Sequence, residues 1–279
     1  AGGSAREQND DAIVCDRLSV RFGGFVAVDE VSFRVPRRSL FGFLGPNGAG
    51  KSTTVSVLCT LLTPSSGTAH VAGFDVAKDP EQVRSRIGVL FQDPCVDDRL
   101  TGLENLKLHA MVYGVPRSER RARMEQAVEL TGLGASVNNI VRTYSGGMRR
   151  RLELARVLLH EPEVLFLDEH TAGLDPQTRR TFWKHLSELR QQRGMTVFLT
   201  THYLEEVEDA DAVTIVDRGR VVAQGSPAEL KARLPAEFAH GNAALEEVFV
   251  YLTGAAIREE EASSREQVRR EIQRRGRTR

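Results

Sequence analysis

The run Leu40-Phe41-Gly42-Phe43-Leu44 leading into Gly45-Pro46-Asn47-Gly48-Ala49-Gly50-Lys51-Ser52-Thr53 constrains this chain more than any other segment. A short, nearly all-apolar stretch reads as a buried strand, and residues 54–62 beyond it carry a helical pattern. Between them, Gly45-x4-Gly50-Lys51-Ser52 has the spacing of a phosphate-cradling loop in the context such a loop requires, strand before and helix after. Each residue type has a physical reason. Glycines let successive backbone N–H groups turn inward onto phosphate oxygens, while the helix start adds unpaired donors and the positive end of a dipole. Lys51 offers a point charge to terminal phosphates, and the Ser52 hydroxyl is a hard oxygen suited to Mg2+.

Further short apolar runs stand at 87–91, 164–167, 196–200 and 213–216, separated by longer helix-like stretches. Buried strands alternating with helices imply an α/β fold with a largely parallel sheet covered on both faces. Upstream, residues 13–35 are β-rich and interrupted by Gly23-Gly24, which predicts strands joined by a turn. From about 93 to 162 the pattern changes to helix after helix. Thr101-Gly102-Leu103-Glu104 forms a capping box that opens a helix through Leu106, Leu108 and Met111, stopped by Gly114 and Pro116. A second helix is expected over 119–130 and a third, 148–160, after Ser145. Asp175-Pro176 and Ser226-Pro227 each place a cap residue before a proline at the first helical position.

Composition narrows the class. At 279 residues the chain fits one large domain, or one domain with a small appendage. Hydrophobic residues at 41% suffice for a sizeable core. Thirty-eight basic residues balance 38 acidic ones, which argues against a main affinity for nucleic acid. The three cysteines, Cys15, Cys59 and Cys95, lack metal-ligand spacing and are expected to be reduced thiols. No apolar run approaches the ~18–20 residues of a membrane span, so any membrane role is expected to come through a partner. The arginine-rich segment 258–279 is expected to be a solvated, frayed tail.

Val164-Leu165-Phe166-Leu167-Asp168-Glu169 is an apolar strand ending in two acids. In open α/β sheets ligands sit beyond the carboxyl ends of the strands, which would turn both acids toward a nucleotide. Asp168 suits holding Mg2+ through water; Glu169 suits polarising the water that attacks a γ-phosphate.

With Gln92, Tyr144-Ser145-Gly146-Gly147-Met148, Thr171-Ala172-Gly173-Leu174-Asp175 and Thr201-His202 following in order, the chain resembles the nucleotide-binding subunit of an ATP-binding-cassette (ABC) transporter across about 13–230. Its Tyr-Ser-Gly-Gly-Met-Arg-Arg-Arg stretch is similar to the daunorubicin/doxorubicin-resistance type of exporter ATPase. The resemblance implies a P-loop ABC ATPase domain over 12–230 with a mainly parallel core sheet, an N-terminal antiparallel β subdomain and an inserted helical subdomain at about 93–162. A short helical extension, 231–257, would follow.

The resemblance also implies roles. ATP would lie on residues 45–53, with Phe22 stacked on adenine. Mg2+ would be held by Ser52, Gln92 and, through water, Asp168. Glu169 would act with Lys51, Gln92 and His202, while Ser145, Gly146, Gly147 and Asp175 would reach the ATP of a second subunit. Met148 stands where the family carries glutamine, and a thioether cannot make an amide's hydrogen bonds. His170 stands where the family commonly has proline and is expected to pack in its loop. Leu100, Leu103, Leu106 and Tyr113 are expected to line a groove for a helix of the membrane partner. The implied assembly is a homodimer of ATPase subunits bound to a separate integral-membrane permease at the cytoplasmic face of the cell membrane, powering transport, with no nucleic acid. A soluble ABC ATPase of translation, repair or iron–sulfur assembly is the alternative; two cassettes or a long coiled coil between motifs would mark the first two.

Overall fold

The computed structural model describes residues 10–91, 95–171, 175–201, 203–234 and 244–254. Gln92, residues 172–174, His202 and the segment 258–279 lie outside them, so the expectations placed there are not addressed by the fold.

Two sheets form the body. Asp11–Phe22 (β1) and Phe25–Pro36 (β2) make a long antiparallel hairpin in which Phe22 pairs with Phe25 across Gly23-Gly24. Along the second half of β2 the inward residues alternate strictly, Val31, Phe33 and Val35 being buried and Ser32 and Arg34 exposed, as a strand with one covered face requires. Ser66–Val71 (β4) pairs with the other side of β1 and carries the short Phe74–Asp75 (β5), giving the order β2-β1-β4-β5. The second sheet contains Leu40–Leu44 (β3), Ile87–Leu90 (β6), Val164–Asp168 (β7), Thr196–Thr201 (β8), Ala212–Asp217 (β9) and Arg220–Gly225 (β10). Its order is β10-β9-β3-β8-β7-β6, parallel throughout except for the edge strand β10. The expected antiparallel β subdomain and mainly parallel core are both present.

An aromatic cluster joins the sheets. The ring of Phe33, from the antiparallel sheet, lies 5.6 Å from Phe41, 5.3 Å from Phe43 and 6.0 Å from Phe198. Phe41, Phe43, Phe166 and Phe198 have no exposed surface. Burial of this much ring area, with tilted and offset contacts, fixes how the sheets sit on one another.

The helices are Lys51–Leu58 (α1), Pro80–Arg84 (α2), Gly102–Val112 (α3), Arg117–Leu130 (α4), Gly146–Leu158 (α5), Pro176–Arg193 (α6), Pro227–Ala232 (α7) and Leu245–Thr253 (α8). α3, α4 and α5 enclose a core of their own around Leu106, Met124, Val141, Leu152 and Ala155, which is the inserted helical unit. α8 buries Leu245, Val248 and Phe249 in the same cluster as Leu230 of α7. None of the described helices is long and apolar enough to cross a membrane.

Several boundaries differ from the sequence reading. α1 starts at Lys51 rather than Thr54, because Gly50 adopts φ 96° and serves as its cap. α5 starts two residues earlier than expected, since the Ser145 hydroxyl accepts the Met148 N–H and nucleates the turn at the glycines. The groove reading needs correction at Leu106, which is 0% exposed inside the helical core. The exposed apolar side chains of α3 are instead Leu108, Met111 and Val112, with Tyr113 following. Strands β4, β5 and β10 had no counterpart in the sequence reading.

Candidate functional site

Register brings the loops together. Leu44 pairs with Thr201, Asp168 with Thr200, and Leu90 with Leu167. The segments after β3, β6, β7 and β8 therefore leave one edge of the sheet side by side. The loop after β3 needs its glycines. A Cβ on Gly50, already at φ +96°, would lie 2.5 Å from the carbonyl oxygen of Ala27, and Gly48 turns at φ +80°.

Lys51 is 5% exposed, and its Nζ donates to the Gly45 carbonyl at 2.7 Å and the Pro46 carbonyl at 3.2 Å. It also lies 3.6 Å from Glu169 Oε1. Burial lowers its pKa, and the Glu169 and Asp168 carboxylates oppose that shift. The result is an ammonium held inside its own loop with two carboxylates beside it. Asp168 accepts from the Thr200 hydroxyl at 2.5 Å and is hydrogen-bonded to Ser52; burial raises its pKa.

Glu169 stands at φ +46°, left-handed backbone that costs a residue with a side chain about 1–2 kcal/mol. The sheet enforces it: the Glu169 N–H donates to the Thr200 carbonyl at 3.0 Å and reaches the Thr200 hydroxyl at 3.2 Å. This conformation turns the acid back over the edge of the sheet toward Lys51. Ser52 and Asp168, hydrogen-bonded to one another, offer hard oxygens beside Lys51. Among the described residues there is no cluster of three His, Cys, Asp or Glu side chains able to cage a metal. The donors present fit Mg2+, which takes one or two carboxylates and completes its shell with water and phosphate oxygens.

Ser145 caps α5, whose N-terminus carries Gly146 and Gly147. A Cβ at Gly147 would meet Thr178 Cγ2 at 2.6 Å, so α5 and α6 approach closely there. Between them lies a cavity of about 210 Å³ lined by Ser145, Gly147, Arg150, Gln177 and Thr178. Asp175 is the cap of α6, accepting from the N–H groups of Gln177 at 3.1 Å and Thr178 at 3.0 Å. The Thr178 hydroxyl and those amides hold its carboxyl below the usual range. Phe22 is 49% exposed at the tip of the β1–β2 hairpin, which rules out a core role for its ring. Gln92 and His202 lie outside the described residues, immediately beyond Phe91 and Thr201.

A buried network went unread in the sequence. Arg150 Nη1 donates to Glu153 Oε2 at 3.0 Å and to the Phe91 carbonyl at 3.0 Å, and lies 3.3 Å from His170 Nδ1. Glu153 Oε1 accepts the Cys95 N–H at 2.8 Å. The helix that begins at Ser145 thus grips the chain on both sides of 92–94 and the residue after Glu169. An arginine and a glutamate three apart on a helix resemble an ordinary surface pair, and only burial sets this one apart. His170 packs as expected, with its ring 5.1 Å from Phe182, and burial pushes its pKa down to about 3.

A strand running into a glycine loop with a buried lysine, and two acids at the end of β7, one strand removed from β3 across β8, define a nucleotide-binding ATPase of the P-loop class. The ABC transporter family matches residues 28–172. The daunorubicin resistance ATP-binding protein DrrA3 of Streptomyces coeruleorubidus is 47% identical over 224 residues, covering 80% of this chain and 71% of that protein. The daunorubicin/doxorubicin resistance ATP-binding protein DrrA of Streptomyces peucetius is 45% identical over 80% of this chain and 68% of that protein. Among solved structures, cbiO1 of Clostridium perfringens, part of the ABC transporter complex cbiONQ, is similar with a TM-score of 0.75 at 31% identity, covering 80% of this chain and 92% of that one. The chain belongs to the ABC transporter family, as an ATP-binding subunit with the ATPase fold of that family.

Proposed function

We propose that the chain powers export of a drug-like or lipid/glycan substrate through a separate integral-membrane permease. Two copies would close around two Mg·ATP at the cytoplasmic face of the cell membrane. The likeness to the two proteins named for daunorubicin resistance supports the direction and the kind of cargo. The observation that carries the ATPase reading is Lys51 held in its glycine loop 3.6 Å from Glu169.

In this reading the loop 45–53 holds the phosphates, Lys51 neutralises the terminal charge, and Phe22 stacks on adenine. Ser52, Gln92 and, through water, Asp168 would hold Mg2+, which would supply charge neutralisation at the phosphates. Glu169 orients the attacking water, and His202 bonds the γ-phosphate. Ser145, Gly146, Gly147 and Asp175 complete the site of the opposite subunit, where the dipole of α5 and its capped N-terminus face the γ-phosphate. Catalysis is positioning plus charge neutralisation.

Glu169→Gln is expected to bind ATP at near-native affinity, accumulate as a dimer in size-exclusion chromatography and lose at least ~100-fold in hydrolysis. Lys51→Ala is expected to lose ATP binding in a nucleotide titration. A Glu169→Gln protein that hydrolyses at the native rate overturns the assignment of the base. Copurification of a polytopic membrane protein tests the permease; copurification with ribosomes or DNA speaks for a soluble role instead.

A further inference from the structure

One carboxylate outside the nucleotide-site motifs ties two of the nucleotide loops together. Glu206 sits in the 3-10 turn Leu204–Val207 and is 8% exposed. Its Oε1 accepts from the Thr171 hydroxyl and from Trp183 Nε1 at 3.0 Å; its Oε2 accepts from the Thr201 hydroxyl at 2.5 Å. Thr171 and Thr201 are each 2% exposed. The Arg179 guanidinium lies 3.9 Å from Glu206 Oε1 and 3.8 Å above the ring of Tyr203. Three elements therefore converge on one side chain: the loop after β7, the end of β8, and α6.

The two threonines give this convergence its meaning. Thr171 is two residues beyond Glu169 in the chain. Thr201 ends β8, and its hydroxyl also accepts the Tyr203 N–H at 2.9 Å. Only a carboxylate suits the place, because three donors and a cation point at it and an acceptor-only group can serve them all. An amide would turn its own N–H groups against one of those donors.

We infer that Glu206 is a positioning residue for ATP hydrolysis: acting through Thr171 and Thr201, it fixes the loop bearing Glu169 against the end of β8. The inference rests on Glu169 being the water-orienting base. Displacement of a catalytic group by about 1 Å costs on the order of 100-fold in rate while leaving substrate affinity nearly untouched. A purely structural role would lower melting temperature, affinity and turnover together.

The test uses the full chain in single-turnover hydrolysis with protein in excess over Mg·ATP, beside ATP titration and thermal melting. Glu206→Ala is expected to slow hydrolysis about 30- to 100-fold with the ATP Kd within about twofold of native. Glu206→Gln, which keeps the shape and guards against a folding failure, is expected to retain a larger share of the rate. Thr201→Val is expected to slow hydrolysis about tenfold, and combined with Glu206→Gln the losses are expected to be less than additive, as for groups in one network. Amide exchange in 164–171 and in 196–201 is expected to rise together in Glu206→Gln. Native turnover in Glu206→Gln and Thr201→Val, strictly additive losses, or a fall in ATP affinity as large as the fall in rate overturns the inference. Glu169→Gln run alongside keeps the two claims apart. If it is inert while the Glu206 variants hydrolyse normally, only the positioning role fails; if it hydrolyses normally, the base assignment has failed.

Discussion

Three imidazoles held neutral inside this fold make its stability depend on pH. His109 Nε2 lies 3.3 Å from His160 Nδ1, and the Tyr113 ring stacks on both, with centroids 4.2 and 4.1 Å away. Burial pushes the His109 pKa down to about 3, with the Arg156 and His160 charges adding to the effect, and burial also lowers that of His160. His170, beside Arg150, is likewise down to about 3. In the unfolded chain each imidazole takes a proton below about 6.5. For His109 and His170, between that pH and about 3 the unfolded state therefore binds protons that the native state refuses, and stability is lost as pH falls. Above about 6.5 the full contribution is present. Near pH 5.5 His109 and His170 should each add roughly 1.2 kcal/mol per pH unit to the slope of unfolding free energy. Denaturant melts at pH 7.5, 6.5 and 5.5 are expected to show that slope, reduced by about one such increment in His170→Asn. An unchanged slope in the variant would mean that His170 is protonated in the native fold.

At the scale of elements, what the sequence disclosed depended on how locally each signal is written. The phosphate loop was legible because strand, glycines and lysine are contiguous and each type is demanded by backbone geometry. The caps at Thr101, Asp175 and Ser226 were legible for the same reason, since a hydroxyl or carboxylate three residues before its amide partner is a local pattern. Strands β4 and β10 were not, because Ser66-Gly67-Thr68 and Arg220 to Gly225 carry no buried run; tertiary pairing with β1 and β9 decides them. The Arg150–Glu153 and Glu206 networks escaped because most of their partners lie twenty or more residues away and no short pattern encodes burial. Phe33 gives the element-scale prediction. It stands in contact with Phe41, Phe43 and Phe198 and is 3% exposed, whereas Phe25 at the hairpin tip is 64% exposed. Phe33→Ala should cost about 3–5 kcal/mol by denaturant unfolding and loosen the antiparallel sheet, while Phe25→Ala should stay within about 0.5 kcal/mol of native.

For the whole molecule, the proposed closed dimer makes a claim that no single-chain measurement reaches. Within one chain Lys51 turns to Glu169, while Ser145 faces the cavity shared with Gln177 and Thr178. If each ATP is held by the loop 45–53 of one subunit and the Ser145 end of α5 in the other, every site is composite. Lys51→Ala alone then spoils both sites of a dimer, and so does Ser145→Arg, which sets a cation and a bulky chain at the helix tip. Mixed together, the two inactive proteins form heterodimers in which one site joins the intact loop of the second variant to the intact helix tip of the first. Random pairing of equal amounts makes about half of all dimers mixed, each with one good site of two. Independent sites would therefore restore roughly a quarter of native hydrolysis per chain; obligatory alternation between sites would restore less. The measurement is phosphate release against mixing ratio, with a maximum at equal amounts. Activity that stays at the level of the separate variants, at concentrations where native protein dimerises and hydrolyses, would place Lys51 and Ser145 on the same site of one chain and remove the reason for the dimer.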